Sequence, residues 1–407
     1  MAKGNLSVKQ AVTEGLAKNP GLSEIQARYE ALREIPSQVQ SLPDPVVSVG
    51  AVNFPTDTFN RGQEPMTNVQ VGFTQDFPYP GKLDLKGEIA SFVADSAFFK
   101  VDEQRLKLTD YIQSTWWQVY YFDRALETIN NNQVLLRQFI KVAEEKYKTG
   151  KGLQQDVLLA QLELSKLIDQ EIQVEALRRI QAINLNLLMG KNPSDTVHLA
   201  NKIKRKLSHK MNEKYLYRLA EEYHPTLKSQ ESRVSAAQSR LDLAKKDYYP
   251  DFKVSVLYGD RTGYNGGRID DPRSDLFTLK VGIKVPLYYK TKQSKAEQQR
   301  FIEQQGSQYA LENERLKLMA EISNNYTDYK QAKKQVSLYE TGILPQARQT
   351  VDSMLSGYQV SKVDFLNLVR SQVTLFNYEL LYWKAVTESM QALSGIQANV
   401  GKVNIYE

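Results

Sequence analysis

One pattern occurs twice in this chain: a pair of short amphipathic strands set between helices far longer than a globular domain holds. Asn19-Pro20 recurs as His224-Pro225, and Pro45 recurs as Pro250, each 205 residues on. Val71-Gly72 recurs as Val281-Gly282 at a distance of 210, and Tyr147 as Tyr358 at 211. The distance grows almost entirely inside one hairpin loop, where insertions are best tolerated. Two internal repeats of roughly 190 residues account for these matches better than two or three unrelated domains do. The sequence therefore reads as a first repeat over 1–190, a linker over 191–214, a second repeat over 215–398 and a tail over 399–407.

From about Lys82 to Tyr147 there is no proline, and the only glycine is Gly87 near the start. Alternate steps of four and three from Leu108 reach Ile112, Thr115, Val119, Phe122, Leu126, Ile129, Gln133, Leu136, Ile140, Ala143 and Tyr147, an apolar seam of coiled-coil period. The same seam in the second repeat runs Leu318, Ile322, Asn325, Tyr329, Ala332, Val336, Tyr339 and Ile343. These seams predict long helices over 82–148 and 291–356, each about 97 Å at 1.5 Å per residue. A second helical path comes in two pieces per repeat: about 21–42 with a return helix at 153–189, and about 222–249 with a return helix at 364–398. Two short helices stacked end to end beside one long helix fit those lengths. A plain dimeric coiled coil would share the seam but would not explain what interrupts the helices.

Between Pro45 and Pro78, and between Pro250 and Pro286, the period changes to two. Val69, Val71, Phe73, Gln75 and Phe77 alternate with Gln70, Gly72, Thr74 and Asp76. Phe252, Val254, Val256 and Tyr258 alternate with Lys253, Ser255, Leu257 and Gly259, and Phe277, Leu279, Val281, Ile283 and Val285 alternate with Thr278, Lys280, Gly282 and Lys284. Strand pairs are thus expected over 46–77 and 252–286, one face mostly apolar, at the length that spans a bilayer when tilted. Tyr79, Tyr248, Tyr249, Tyr288 and Tyr289 cluster at the strand ends, where a membrane interface places aromatic residues. Four strands cannot close a membrane barrel, which needs about eight. If these strands lie in a membrane, several chains share the barrel.

Composition narrows the function by exclusion. Mean hydropathy is −0.49, and no run of about twenty apolar residues forms a spanning helix. The start Met1-Ala2-Lys3-Gly4 lacks an apolar signal segment, which fits either a cytosolic protein or a mature exported chain with an added methionine. The absence of cysteine removes disulfides and thiolate metal sites. A net charge of +6, interspersed along helices, reads as solvated surface, with no nucleic-acid partner. The three histidines, His198, His209 and His224, form no metal-binding or hydrolytic pattern, and His224 before Pro225 reads as a helix cap. No catalytic residue, cofactor or metal site is expected.

Leu42-Pro43-Asp44-Pro45, Phe77-Pro78-Tyr79-Pro80-Gly81-Lys82-Leu83, and the turn from Tyr147 to Gly150 followed by Asp156 to Gln161 make the chain resemble the TolC-like outer-membrane efflux family over essentially its whole length. The first two segments resemble most its heavy-metal cation branch, the CusC/CzcC type. The resemblance implies a mainly α fold with a small β part: a homotrimeric transmembrane β-barrel of four strands per chain, on a long α-helical coiled-coil barrel. It implies a place in the outer membrane of a Gram-negative bacterium, among its lipids and extending into the periplasm, with the 191–214 linker in an equatorial collar. The implied partners are a periplasmic adaptor protein and an inner-membrane pump of the resistance-nodulation-division type. The implied role is a passive exit duct for heavy-metal cations. A drug or type I secretion duct of the same family, or a soluble coiled-coil scaffold, are the alternatives.

The resemblance also implies a periplasmic gate. Its tyrosine and aspartate latch fall on Tyr358 and Asp156. A second, arginine latch falls on Val363, with Lys362 adjacent, and the two pore-narrowing aspartates fall on Asn367 and Arg370. An aspartate ring is therefore missing there, although Asp364 lies one turn away. The turns carrying Tyr147, Gly150, Gly152 and Val363 would dock the adaptor.

Overall fold

The computed structural model describes residues 5–200 and 211–401. Residues 201–210 of the expected linker, with His209, and residues 402–407 of the expected tail lie outside the described residues. The chain divides into two compact units, one of residues 1–26, 100–227 and 314–407, the other of residues 27–99 and 228–313.

The fold is mainly α with one small antiparallel sheet. In chain order the elements are α1 (Val8–Lys18), α2 (Pro20–Arg33), α3 (Ile35–Gln40), β1 (Val46–Val52), β2 (Asn68–Phe77), α4 (Lys82–Lys148) and α5 (Gln154–Leu188). They continue with α6 (Glu213–Tyr223), α7 (Pro225–Lys246), β3 (Asp251–Asp260), β4 (Leu276–Lys284), α8 (Gln293–Leu338), α9 (Leu344–Gln359) and α10 (Phe365–Val400). Helix α4 has 67 residues, about 100 Å along its axis.

Prolines explain where the helices depart from the sequence expectation, because proline lacks the N–H that helix continuation needs and its ring crowds the carbonyl four residues earlier. The helix expected over 21–42 is two, α2 and α3, parted at Glu34 with Pro36 in the first turn of α3. The helix expected over 222–249 is likewise α6 and α7, parted at His224 before Pro225, so α6 already begins inside the expected linker. The helix expected over 291–356 contains a π-helical turn, Tyr339–Ile343, just ahead of Pro345, and reaches Gln359. The wider turn accommodates the carbonyl that Pro345 cannot satisfy. Helix α1 was not expected. It is started by a capping box in which Ser7 Oγ accepts from the Gln10 N–H while the Gln10 side chain accepts from the Ser7 N–H.

In the first unit, the seam side chains Leu108, Ile112, Val119, Phe122, Ile129, Gln133, Leu136 and Ala143 of α4 are buried, as are Leu318, Ile322, Tyr329, Ala332 and Val336 of α8. Thr115, Leu126 and Ile140 are only half-buried, and Tyr147, at the end of α4, is exposed. One continuous cluster joins Ile129, Phe139 and Ala160 to Leu344, Val351, Leu368 and Phe376.

The second unit holds the sheet, of order β1-β2-β3-β4 and antiparallel throughout. Its register aligns the alternating residues of all four strands. Val49, Val71, Tyr258 and Phe277 form one row, and Val47, Phe73, Val256 and Leu279 the next. Gln75, Val254 and Val281, then Phe77, Phe252 and Ile283, continue the same face. At the start of β3, Lys82 is buried between Asp251, 2.9 Å away, and Asp247, 3.1 Å away. Tyr79 stacks on Tyr249 at 4.6 Å, so the Pro80-Gly81-Lys82 corner that turns β2 into α4 is locked by an ion pair and an aromatic pair.

Candidate functional site

Two regions are built in ways that a self-contained globular protein does not require: the turns ending α4 and α9, and the open sheet.

Helices α4 and α9 end alike. At Gly150, with φ of +71°, the Gly150 N–H donates to the Tyr147 carbonyl at 3.0 Å, and the Lys151 N–H to the Lys146 carbonyl at 2.8 Å. At Ser361, with φ of +59°, the Ser361 N–H donates to the Tyr358 carbonyl at 3.1 Å, and the Lys362 N–H to the Gly357 carbonyl at 2.9 Å. Both are Schellman turns, which satisfy orphan carbonyls at a helix end through a residue in the left-handed region. Tyr147 and Tyr358 hold the same place in the two turns, but Tyr147 is exposed and Tyr358 is 4% exposed.

Buried Tyr358 is the centre of the second turn. Its hydroxyl donates to Asp156 Oδ2, in the first turn of α5, at 3.4 Å, and its ring packs on Phe365 with centroids 5.0 Å apart. Lys146 Nζ sits 4.4 Å from the ring centroid, donates to the Tyr358 carbonyl, and donates to Ser361 Oγ at 2.9 Å. At 3.4 Å the Tyr358–Asp156 bond is long and weak, whereas Lys146 makes three contacts. Burial, the charge of Asp156 and its hydrogen bond push the Tyr358 phenol up to about 12, so the tyrosine stays protonated and able to donate at physiological pH.

The structure thus brings Tyr358 and Asp156 together and adds Lys146, which the sequence reading missed. The available signal was a lysine in the last turn of a helix, where it can reach exposed carbonyls. Lys362, Asp364, Asn367 and Arg370 are exposed; Asp364 caps α10 by position, with no side-chain cap bond. Val363 is half-buried, and a Cβ at Gly357 would meet its Cγ2 at 2.6 Å. Gly152 lies close under Lys146, whose Cβ an added Cβ would meet at 2.8 Å.

The sheet presents the opposite problem, exposed apolar surface. Val47, Val49, Val71, Phe73, Phe277, Leu279, Val281 and Ile283 are each roughly half exposed or more and lie on one face. β1 and β4 are both edge strands, with no further strand beside either among the described residues. An apolar face of this extent with two open edges is a strong aggregation template in water unless something covers it. The opposite face carries Thr74, Ser255, Lys253, Asp76, Lys280 and Lys284, with Thr74 Oγ1 donating to Ser255 Oγ at 2.9 Å and Lys253 paired to Asp76 at 3.2 Å. The hairpin loops are tied to one another: Arg273 donates to the carbonyls of Gly62 and Glu64 at 3.2 and 3.1 Å, and Arg261 to that of Pro65 at 3.0 Å.

Residues 216–402 match the family described as Outer membrane efflux protein. No curated protein sequence matches the chain. Among solved structures, the chain is similar to the outer-membrane channel OprN, with TM-score 0.81 and 17% identity over 97% of this chain and 89% of that one. It is similar to the outer membrane protein VceC of Vibrio cholerae, with TM-score 0.79 and 16% identity over 97% and 96% of the two chains. CusC, studied for its folding and transmembrane channel formation, aligns with TM-score 0.81 and 13% identity over 98% and 93%. At these identities the likeness is one of fold.

Proposed function

We propose that this chain is one subunit of an outer-membrane exit duct that conducts solutes passively from the periplasm to the outside. The observation that carries the reading is the four-stranded sheet, apolar and exposed on one face, polar on the other, and unpaired at both edges. Lipid covers such a face without cost, and strands from further copies satisfy the edges, since only closed barrels leave no backbone group unpaired in a bilayer. Three copies give twelve strands, enough to enclose a lumen. The order of elements supports two repeats, since α1 and α6 have eleven residues each and the turns at Gly150 and Ser361 lie 211 apart with the same bonds.

The turns at Tyr147, Gly150, Gly152 and Val363 are the surface offered to a periplasmic adaptor and, through it, an inner-membrane pump. The Tyr358, Asp156 and Lys146 cluster is a latch at that end, flanked by Lys362, Asp364, Asn367 and Arg370. By resemblance the 191–214 linker would belong to a collar between the repeats, its residues 201–210 lying outside the described ones. For the cargo, Leu42–Pro45 and Phe77–Leu83 favour heavy-metal cations by resemblance alone. Purified protein in planar bilayers tests the reading: discrete conductance steps from a detergent-solubilised trimer are expected, and a monomeric, detergent-independent protein without conductance would replace the duct with a scaffold.

A further inference from the structure

The polar face of the sheet has a charge imbalance that bears on what crosses it. Five charged side chains lie there by register: Asp76 and Lys253 opposite each other, Lys280 opposite Ser255, and Asp251 opposite Lys284. Asp76 is taken by Lys253 at 3.2 Å. Asp251 is taken by the buried Lys82 at 2.9 Å and also accepts the Tyr79 N–H at 2.9 Å. Lys280 and Lys284 are both exposed, but Lys284 lies opposite the Asp251 carboxylate, whereas among the described residues Lys280 has no carboxylate within ion-pairing distance. Lys280 sits in a row with Thr74 and Ser255, so its nearest neighbours along the row are hydroxyls that add no negative charge.

We infer that Lys280 makes the lumen of the barrel anion-selective, an inference that rests on the proposed duct because only there does this face become a lumen. Each copy brought round the barrel repeats the uncompensated ammonium at the same height, producing a ring. Rings of lysine or arginine favour anions in narrow pores, as rings of carboxylates favour cations, because the low-dielectric wall concentrates their field on the permeating ion. Anionic solutes therefore cross this ring with the field, and free multivalent cations against it. The substrate class that fits the barrel is thus organic or inorganic anions, which weighs against bare metal ions as the main cargo.

Reversal potentials in planar bilayers under a KCl gradient test this, recorded for the wild type and in the Tyr358→Phe/Asp156→Ala background so that a shut tip does not hide the barrel. Preference for chloride over potassium is expected in at least one of the two. Lys280→Gln should lower the chloride-to-potassium permeability ratio, and Lys280→Glu should lower it by about threefold or more and move it toward cations. Lys280→Gln preserves the test if the reversed charge prevents assembly. A conducting pore that prefers potassium in both the wild type and the Tyr358→Phe/Asp156→Ala background, or one whose ratio neither Lys280 variant changes, overturns the anion ring while leaving the duct standing. Absence of conductance in every variant overturns the duct, and the ring with it.

Discussion

Lys146 holds Tyr358 from two sides, its ammonium 4.4 Å from the ring centroid and hydrogen-bonded to the tyrosine's own carbonyl. The ring is thereby fixed between the end of α4 and the start of α5, where its hydroxyl meets Asp156 at 3.4 Å. A hydrogen bond to a charged carboxylate contributes about 1.5–3 kcal/mol at normal length, and a long one less, so the lysine contacts carry a comparable share. We expect Tyr358→Phe with Asp156→Ala to raise single-channel open probability moderately, and the further change Lys146→Met to raise it more, with assembly intact. Unchanged gating in the triple variant, alongside a lower melting temperature, would assign all three residues to packing.

Tyr358 also provides a pH signature. Its phenol is raised from the ordinary value of 10.0 to about 12 by burial first, then by Asp156. The folded state therefore holds this proton more tightly than the unfolded chain does, so the stabilisation is fully present below pH about 10 and is lost as pH rises through about 12. The Tyr358 hydroxyl should therefore keep its proton and its contact with Asp156 between pH 6 and 9. Difference titration at 295 nm between the wild type and Tyr358→Phe should show one tyrosine ionising late, near pH 12; a missing tyrosine that titrates near 10 would contradict the buried geometry.

The sheet makes a prediction that distinguishes its faces. Val281 lies opposite Val254 and beyond it Gln75, on the apolar face, with 64% of its surface exposed. In the proposed duct an arginine there would sit among lipid tails and should cost about 2–4 kcal/mol near the bilayer midplane. Lys280, one residue away on the polar face, should tolerate glutamine with little loss of stability. Melting of the assembled protein in detergent measures both, and equal tolerance at the two positions would place neither face in lipid.

Much of this architecture could be read before any coordinates. The long seam beyond Pro80 made a helix of the length of α4 legible, and the alternation in 69–77, 252–258 and 277–285 identified the face that the register then assembled across four strands. Periodicity cannot report what depends on a single residue's backbone. The breaks at Glu34 and His224 and the π-helical turn before Pro345 are consequences of individual prolines inside otherwise helical patterns. Helix α1 was announced by Ser7 and Gln10 at capping-box spacing, but its eleven residues are too few to impose a seam. At the tip, Tyr358 and Asp156 were found by resemblance, whereas Lys146 was not, because its role depends on a carbonyl 212 residues away in sequence.

The equivalence of Asn19 and His224 gives the last test. Asn19 ends α1, accepts from the Leu22 N–H at 3.1 Å through its side-chain oxygen, and donates to the Leu188 carbonyl at 3.0 Å. His224 ends α6, accepts from the Thr226 N–H at 3.3 Å through Nδ1, and bonds the backbone of Ala398, 210 residues beyond Leu188. Accepting at Nδ1 requires a neutral ring. Burial lowers the imidazole from 6.5 to about 4, with Glu103 opposing that shift and Lys107 reinforcing it. For a group with a lowered folded pKa, stabilisation is present above the unfolded value and lost as pH falls, here from about 6.5 through about 4. The difference corresponds to a loss on the order of 3 kcal/mol by the acid end of that window. His224→Asn installs the residue that does the same double task at position 19 and has no proton to gain. Thermal unfolding in detergent at pH 8, 6, 5 and 4 should therefore show a shallower acid decline for His224→Asn than for the wild type, with similar stability at pH 8. Parallel declines in the two proteins would mean that acid sensitivity arises elsewhere and that His224 is not the titrating cap.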